Sequence, residues 1–156
     1  MSHTTIDTPA PDFRADSTSG EPVALSDLRG QWVVLFFYPR ANTPGCTRES
    51  QDFRDLAEAF RDAGAVVLGA SRDKVRTQEN FRTKHELPYT LLADPEETLC
   101  EQYGVMKDKN MYGKKVRGIE RSTFLIDPEG VLRREWRKVK VDGHAEEVLE
   151  ALRSSQ

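Results

Sequence analysis

The sequence predicts a mixed α/β fold in one domain spanning residues 1–156, on three observations. Apolar runs of strand length, at 32–37 and 66–71, alternate with stretches of helical periodicity through the first two-thirds of the chain. A strand-turn-strand pattern around 127–130 and a closing amphipathic segment follow, so part of the sheet must be antiparallel. At 156 residues the chain is long enough to bury a real core.

Each element has its own warrant. Residues 1–12 form an extended lead-in, because Pro9 and Pro11 forbid a helix there. The polar, turn-rich stretch 12–22, followed by Val23-Ala24-Leu25 and Ser26-Asp27-Leu28, is expected as an N-terminal β-hairpin extension over one end of the core. Trp32-Val33-Val34-Leu35-Phe36-Phe37 is unbroken and rich in β-branched and aromatic residues, which favours a fully buried central strand. Thr43 is placed to cap the next helix and Pro44 to open it, where its missing N–H costs nothing. That helix is expected to run to about Ala63, with Gly64 as its stop and Phe53, Leu56, Ala57 and Phe60 on its buried face. Cys46, seven residues before Phe53, shares that face at the helix mouth.

A strand at 66–71, a helix at about 76–85 anchored by Phe81, and a short strand at Leu91-Leu92-Ala93 come next. Asp94-Pro95-Glu96-Glu97 offers a cap, a first-position proline and a capping-box carboxylate, so the following helix is expected to start there. It contains Cys100 and ends near Tyr103-Gly104. Residues 107–115 are basic and loop-like. A strand at 122–126, a turn at 127–130, a hairpin partner at 131–136 and a helix at 145–153 close the chain. This order matches a thioredoxin-like sandwich, a central mixed β-sheet flanked by helices. A doubly wound parallel fold is second, weakened by the hairpin after Ile126.

The net charge of −3 argues against general attraction to nucleic acid or acidic membranes. No apolar stretch approaches the roughly 20 residues that span a bilayer. The first twelve residues carry neither the basic nor the apolar region of a signal peptide, so a cytoplasmic location is expected. Two cysteines, Cys46 and Cys100, are too few for a disulfide framework or a tetrahedral zinc site.

Cys46 is the centre of the functional argument. A cysteine in the first turn of a helix meets the positive end of the macrodipole and unsatisfied N–H groups, and both favour the nucleophilic thiolate. Pro39 and Pro44 limit the backbone freedom of the loop before it, Gly45 allows close approach to the backbone, and Thr43 offers a hydroxyl near the sulfur. A buried, inert thiol in an ordinary strand-loop-helix fits this physics equally well. Arg121, at the start of a strand, has a solvated flank as its ordinary reading. Glu49, one turn beyond Cys46, could orient an arginine or simply complement the helix dipole.

The spacing of Pro39, Thr43 and Cys46 resembles the active-site signature of the peroxiredoxins. The loop from Tyr38 to Thr47 resembles the peroxiredoxin Q, or bacterioferritin-comigratory protein, branch. So do Asp73-Lys74, Tyr89-Thr90-Leu91-Leu92-Ala93-Asp94, Cys100-Glu101-Gln102-Tyr103-Gly104-Val105, Met111-Tyr112-Gly113-Lys114 and the stretch from Gly118 to Asp127. The resemblance implies a thiol peroxidase with no metal or organic cofactor. Cys46 would attack the O–O bond and become a sulfenic acid. Thr43 would hold the peroxide oxygen and the Cys46 N–H would donate to the oxygens. Arg121 would favour the thiolate and polarise the peroxide, and Pro39 would shape the pocket. A monomer is expected.

The chain departs from that branch at the recycling step. The usual resolving positions hold Gln51 and Arg82 rather than cysteine. Cys100, beside Leu99 and Tyr103, is expected to be structural, with a resolving role as the alternative. The expectation is therefore a one-cysteine cycle in which thioredoxin, glutaredoxin or glutathione reduces the sulfenic acid. Two other functions compete. A disulfide reductase is disfavoured because no C-x-x-C is present. A non-enzymatic binding or chaperone protein would leave Pro39, Thr43 and Arg121 coincidental.

Overall fold

The computed structural model describes residues 4–156. Residues 1–3 of the expected extended lead-in lie outside the described residues. In the rest, residues 5–8 form a turn closed by the Thr8 N–H to the Thr5 carbonyl at 3.3 Å, with Asp7 at φ 66°, and Pro9 then bridges Val131. The expected hairpin forms from β1 (Arg14–Ser17) and β2 (Val23–Ala24). It does not lie over an end of the core. After a 3-10 turn at Leu25–Leu28 comes β3 (Trp32–Phe37), the expected central strand, then α1 (Pro44–Asp55).

The single helix expected to Ala63 is two helices. Leu56 leaves helical geometry at φ −104°, ψ 6°, and its N–H turns to the Phe53 carbonyl at 3.2 Å. This tighter i→i−3 bond redirects the chain into α2 (Ala57–Asp62), which lies against β4 (Ala65–Ser71). No proline or glycine marks the break. α3 (Val75–Lys84) and β5 (Thr90–Ala93) follow as expected.

α4 is short (Thr98–Gln102) and starts three residues later than expected. Residues 94–97 form a turn closed by the Glu97 N–H to the Asp94 carbonyl, with Glu97 left-handed at φ 66°. Asp94 still caps the helix, but from a distance: its carboxylate accepts the N–H groups of Leu99 (3.1 Å) and Cys100 (2.7 Å). The expected basic loop is instead a two-stranded ribbon, β6 (Met106–Met111) and β7 (Lys114–Ile119). Its turn, Tyr112-Gly113, has both residues at positive φ, the conformation that matches strand twist. β8 (Ser122–Ile126), β9 (Leu132–Arg137) and α5 (His144–Ser154) end the chain.

The main sheet has the order β2-β1-β5-β4-β3-β8-β9. β3, β4 and β5 run parallel, while β1, β8 and β9 are antiparallel to their neighbours, which excludes a doubly wound parallel fold. β1 pairs with β5, so the N-terminal hairpin extends the edge of the sheet.

The two-residue alternation of β3 divides the core. Val34, Phe36 and Tyr38 face one cluster, built with Phe53 of α1, Phe60 of α2, Phe81 of α3 and Val148 and Leu152 of α5. Val33, Leu35 and Phe37 face the other, with Phe13, Leu25, Leu99, Cys100, Tyr103 and Phe124. Cys46 belongs to the first cluster and Cys100 to the second.

Candidate active site

The site begins where β3 runs out. The Tyr38 N–H still bonds the Ala70 carbonyl of β4 at 3.0 Å. Its hydroxyl donates to Gln78 Oε1 at 2.6 Å, and Gln78 in turn donates to the Leu92 carbonyl at 2.8 Å. Burial holds the Tyr38 phenol well above its ordinary pKa, so it stays a neutral donor. The loop that follows is pinned by Asp73. One carboxylate oxygen, Oδ2, accepts the Ala41 N–H (2.8 Å) and the Ser71 hydroxyl (2.6 Å). Asn42 takes a left-handed φ of 67°, which asparagine tolerates better than most residues.

Thr43 occupies the N-cap position but does not cap with its side chain. Its hydroxyl donates to the Arg40 carbonyl at 2.8 Å. Its one proton is thereby engaged, and what it offers a ligand is oxygen lone pairs. The first bond of the α1 ladder runs from the Thr47 N–H to the Thr43 carbonyl at 2.9 Å. The N–H groups of Gly45 and Cys46 precede that ladder at the helix mouth.

Cys46 is 1% exposed. Arg121 comes to it from the far side of the sheet register. Ser122, the first residue of β8, pairs with Phe37, the last of β3, so the residue before it lies beside the loop. The Arg121 carbonyl accepts the Val139 N–H at 3.0 Å, which fixes its backbone. Its guanidinium then splits its donors: Nη1 reaches Glu49 Oε1 at 2.7 Å and Nη2 reaches Cys46 Sγ at 3.5 Å. A Cβ on Gly45 would stand 3.3 Å from that Nη2. The close approach allowed by Gly45 is therefore that of Arg121.

Glu49 is 1% exposed, and its Oε2 has no hydrogen-bond partner among the described residues. Burial raises its pKa, Arg121 opposes this, and burial prevails, so the carboxyl is pushed up to about 7. For Arg121 the balance falls the other way. Its burial disfavours the cation, but Glu49 and Cys46 outweigh that and hold it charged.

Cys46, Glu49, Gly45 and Arg121 are thus brought together, with Thr43 at the head of the same helix. Pro39 is half-buried and lines a shallow cleft with Arg40, Arg72, Asp73 and Pro95 on the neighbouring surface. A roomier cleft, lined by Arg54, Ala57, Arg61, Val66 and Tyr89, includes none of these site residues. Cys100 is not brought to Cys46. Burial and the adjacent Asp94 hold its thiol protonated, with the pKa raised far above its ordinary value. Gln51 Nε2 lies 3.4 Å from His85 Nδ1, and Arg82 Nε donates to the Tyr89 carbonyl at 3.0 Å. Sequence reasoning gave no role to Asp73, although its position just past a strand end and the resemblance of Asp73-Lys74 to the branch both marked it. Nor did it find His144, buried and 2.8 Å from the Thr123 hydroxyl. Among the described residues no cluster of three or more His, Cys, Asp or Glu side chains could hold a metal, and no helix is long and apolar enough to cross a membrane.

A family model described as the AhpC/TSA family matches residues 6–135. The chain belongs to the AhpC/TSA family. Peroxiredoxin Bcp of Bacillus subtilis (strain 168) is 50% identical over 144 residues, covering 92% of each chain. A structure of the Xanthomonas campestris bacterioferritin comigratory protein, described with its alkyl peroxide reduction activity, aligns with a TM-score of 0.91. It shares 45% identity and covers 97% of this chain and 98% of its own. A mutant of Xylella fastidiosa PrxQ aligns with a TM-score of 0.93 at 40% identity, covering 99% of both chains. The fold is accordingly thioredoxin-like, as expected from the order of elements. Membership at this identity and coverage makes the protein an AhpC/TSA-type, thiol-dependent peroxidase, which takes a peroxide as substrate and a thiol as reductant.

Proposed function

We propose that Cys46 is the peroxidatic nucleophile, acting on hydrogen peroxide and small organic hydroperoxides, and that an external thiol recycles it. The Cys46 thiolate attacks one peroxide oxygen in line. An S–O bond forms, the O–O bond breaks, and the departing oxygen leaves as water or an alcohol after taking a proton. Arg121 carries the mechanism: its guanidinium is held by Glu49 and donates to Cys46 Sγ at 3.5 Å, so its charge lies where negative charge moves from sulfur to oxygen. Thr43 accepts a hydrogen bond from the peroxide O–H, because its own proton is committed to Arg40. The Cys46 N–H donates to the oxygens, and Pro39 walls the loop side of the pocket.

The sulfenic acid then condenses with an external thiol, from thioredoxin, glutaredoxin or glutathione. Water is lost, and a second thiol frees Cys46. Gln51 and Arg82 stand at the positions where a resolving cysteine is expected, and Cys100 packs in the other core cluster, which supports a one-cysteine cycle. Two free thiols suit a reducing, cytoplasmic setting, and the enzyme acts as a monomer in this reading.

Cys46→Ser tests the assignment. Peroxide consumption with a dithiol reductant is expected to fall to background while the circular dichroism spectrum is unchanged. Retained turnover would sink the mechanism.

A further inference from the structure

We propose that the outward face of the β6–β7 ribbon is the docking surface for an acidic dithiol protein that returns Cys46 from sulfenic acid to thiol. The proposal rests on the one-cysteine cycle above and narrows its reductant to a protein of one charge type.

The register of the ribbon sorts its residues. Lys107 stands opposite Gly118, Lys109 opposite Val116, and Asp108 opposite Arg117. Opposed residues of an antiparallel pair share a face, as do alternate residues along each strand. Lys107, Lys109, Lys114 and Val116 therefore share one face, while Met106, Asp108, Arg117 and Ile119 share the other. The second face is anchored. Ile119 is buried, Met106 packs on the core, and Arg117 pairs with Glu97 at 3.1 Å and with Glu101.

The lysine face carries no carboxylate, and all four of its residues named here are exposed. The whole ribbon has five cations against Asp108, so the net charge of −3 divides into +4 on residues 106–119 and −7 on everything else. Among the described residues the exposed large apolar side chains are Ile6, Tyr112 and Val116, and two of these three belong to the ribbon. Tyr112, at the tip, is fully exposed. Basic groups around an aliphatic and an aromatic side chain fit an acidic protein surface.

The position of the ribbon decides which partner. β7 ends at Ile119, two residues before Arg121, whose guanidinium touches Cys46. Lys109 Nζ also donates to the Ile119 carbonyl at 3.1 Å, so the basic face is tied to the segment that carries Arg121. Arg72 Nη2 donates to the Arg117 carbonyl at 3.3 Å and shares a cleft with Pro39 and Arg40, so a protein seated on the ribbon adjoins the loop that leads to Cys46. A second copy of this chain could offer only Cys46 and Cys100, both buried. Nucleic acid would face the −7 of the remaining chain. The chemistry balances: a partner thiol attacks the sulfenic sulfur, an S–S bond forms, the S–O bond breaks and water leaves. The second partner thiol then breaks the mixed disulfide, freeing the Cys46 thiol and leaving the partner oxidised to a disulfide.

The double substitution K107E/K114E takes the ribbon from +4 to 0 and leaves the Lys109 bond intact. Turnover at saturating peroxide is measured with a reduced acidic thioredoxin and, separately, with dithiothreitol. The second-order constant for thioredoxin is expected to fall about tenfold or more, and the wild-type constant to fall with added salt, while dithiothreitol turnover is unchanged. An unchanged thioredoxin constant in the variant overturns the proposal. So does wild-type dimerisation in sedimentation that the substitutions abolish, or binding of a labelled DNA duplex that they abolish. Wild-type protein inactive with both reductants would instead overturn the one-cysteine cycle itself.

Discussion

Arg121 serves two acceptors at once, and only a planar fork can do so without moving. Nη1 is held by Glu49 at 2.7 Å while Nη2 points at sulfur at 3.5 Å. A lysine has one nitrogen on a flexible stem and must choose. Arg121→Lys is therefore expected to lower the second-order rate constant for hydrogen peroxide by about 100-fold, the scale of losing one preorganised donor. Stopped-flow peroxide kinetics check this, and a change under threefold would remove Arg121 from the mechanism. Glu49 gives the same pair a pH dependence with two opposite signs. Its carboxyl is pushed up to about 7 in the folded protein, against an ordinary value of 4.5. Between those values the folded state binds more protons than the unfolded, so unfolding free energy falls as pH rises through that window. The ionised carboxylate nevertheless holds Arg121 more firmly, so the rate constant should rise with pH through about 7. Glu49→Gln is expected to flatten both slopes, in urea titrations and in pH–rate profiles. Slopes that persist in Glu49→Gln belong to another group.

At the scale of elements, α4 depends on a residue outside it. Five residues make a helix too short to hold itself, and the Asp94 carboxylate takes two of its buried N–H groups. Asp94→Ala leaves both donors unpaired, at an expected cost of about 2 kcal/mol. Urea unfolding measures the loss, and peroxide turnover at low temperature should be unaffected because α4 packs on the face away from Cys46. The aspartate cap was legible in sequence, but its reach was not. A proline at the second position of 94–97 fits a turn as well as a first helical turn, and the left-handed Glu97 decides for the turn. β3 was legible to the residue because burial on both faces leaves an unbroken apolar run. The ribbon was not, because Lys107, Lys109, Lys114, Lys115 and Arg117 fill both faces and erase the alternation that marks a half-buried strand. Within the site, Thr43 and Cys46 share one local stretch and could be read together. Arg121 joined them only through a resemblance, since the β3–β8 register that brings it close is a long-range fact. Glu49 was weighted least because a carboxylate near the start of a helix is ordinarily just a partner of the helix dipole.

The molecule as a whole decides what Cys100 can do. The sheet separates the two thiols: Cys46 packs with Phe36 and Phe53 on one side, Cys100 with Leu99 and Tyr103 on the other. A disulfide needs Cα atoms within about 7 Å and facing Cβ vectors. Unwinding the first turn of α1 could free Cys46, but it would not carry the sulfur through a seven-stranded sheet. Cys100 is also a poor nucleophile where it stands, since resolution requires a thiolate and burial beside Asp94 keeps this thiol protonated. Stoichiometric peroxide should therefore leave the chain as a Cys46 sulfenic acid, about 16 Da heavier and trapped by a dimedone-type reagent, with no loss of mass from an internal disulfide. Cys100→Ser should give the same adduct and the same turnover with dithiothreitol. A Cys46–Cys100 linked peptide from the oxidised monomer would mean that the sheet opens during the cycle, and the one-cysteine reading would fall with it.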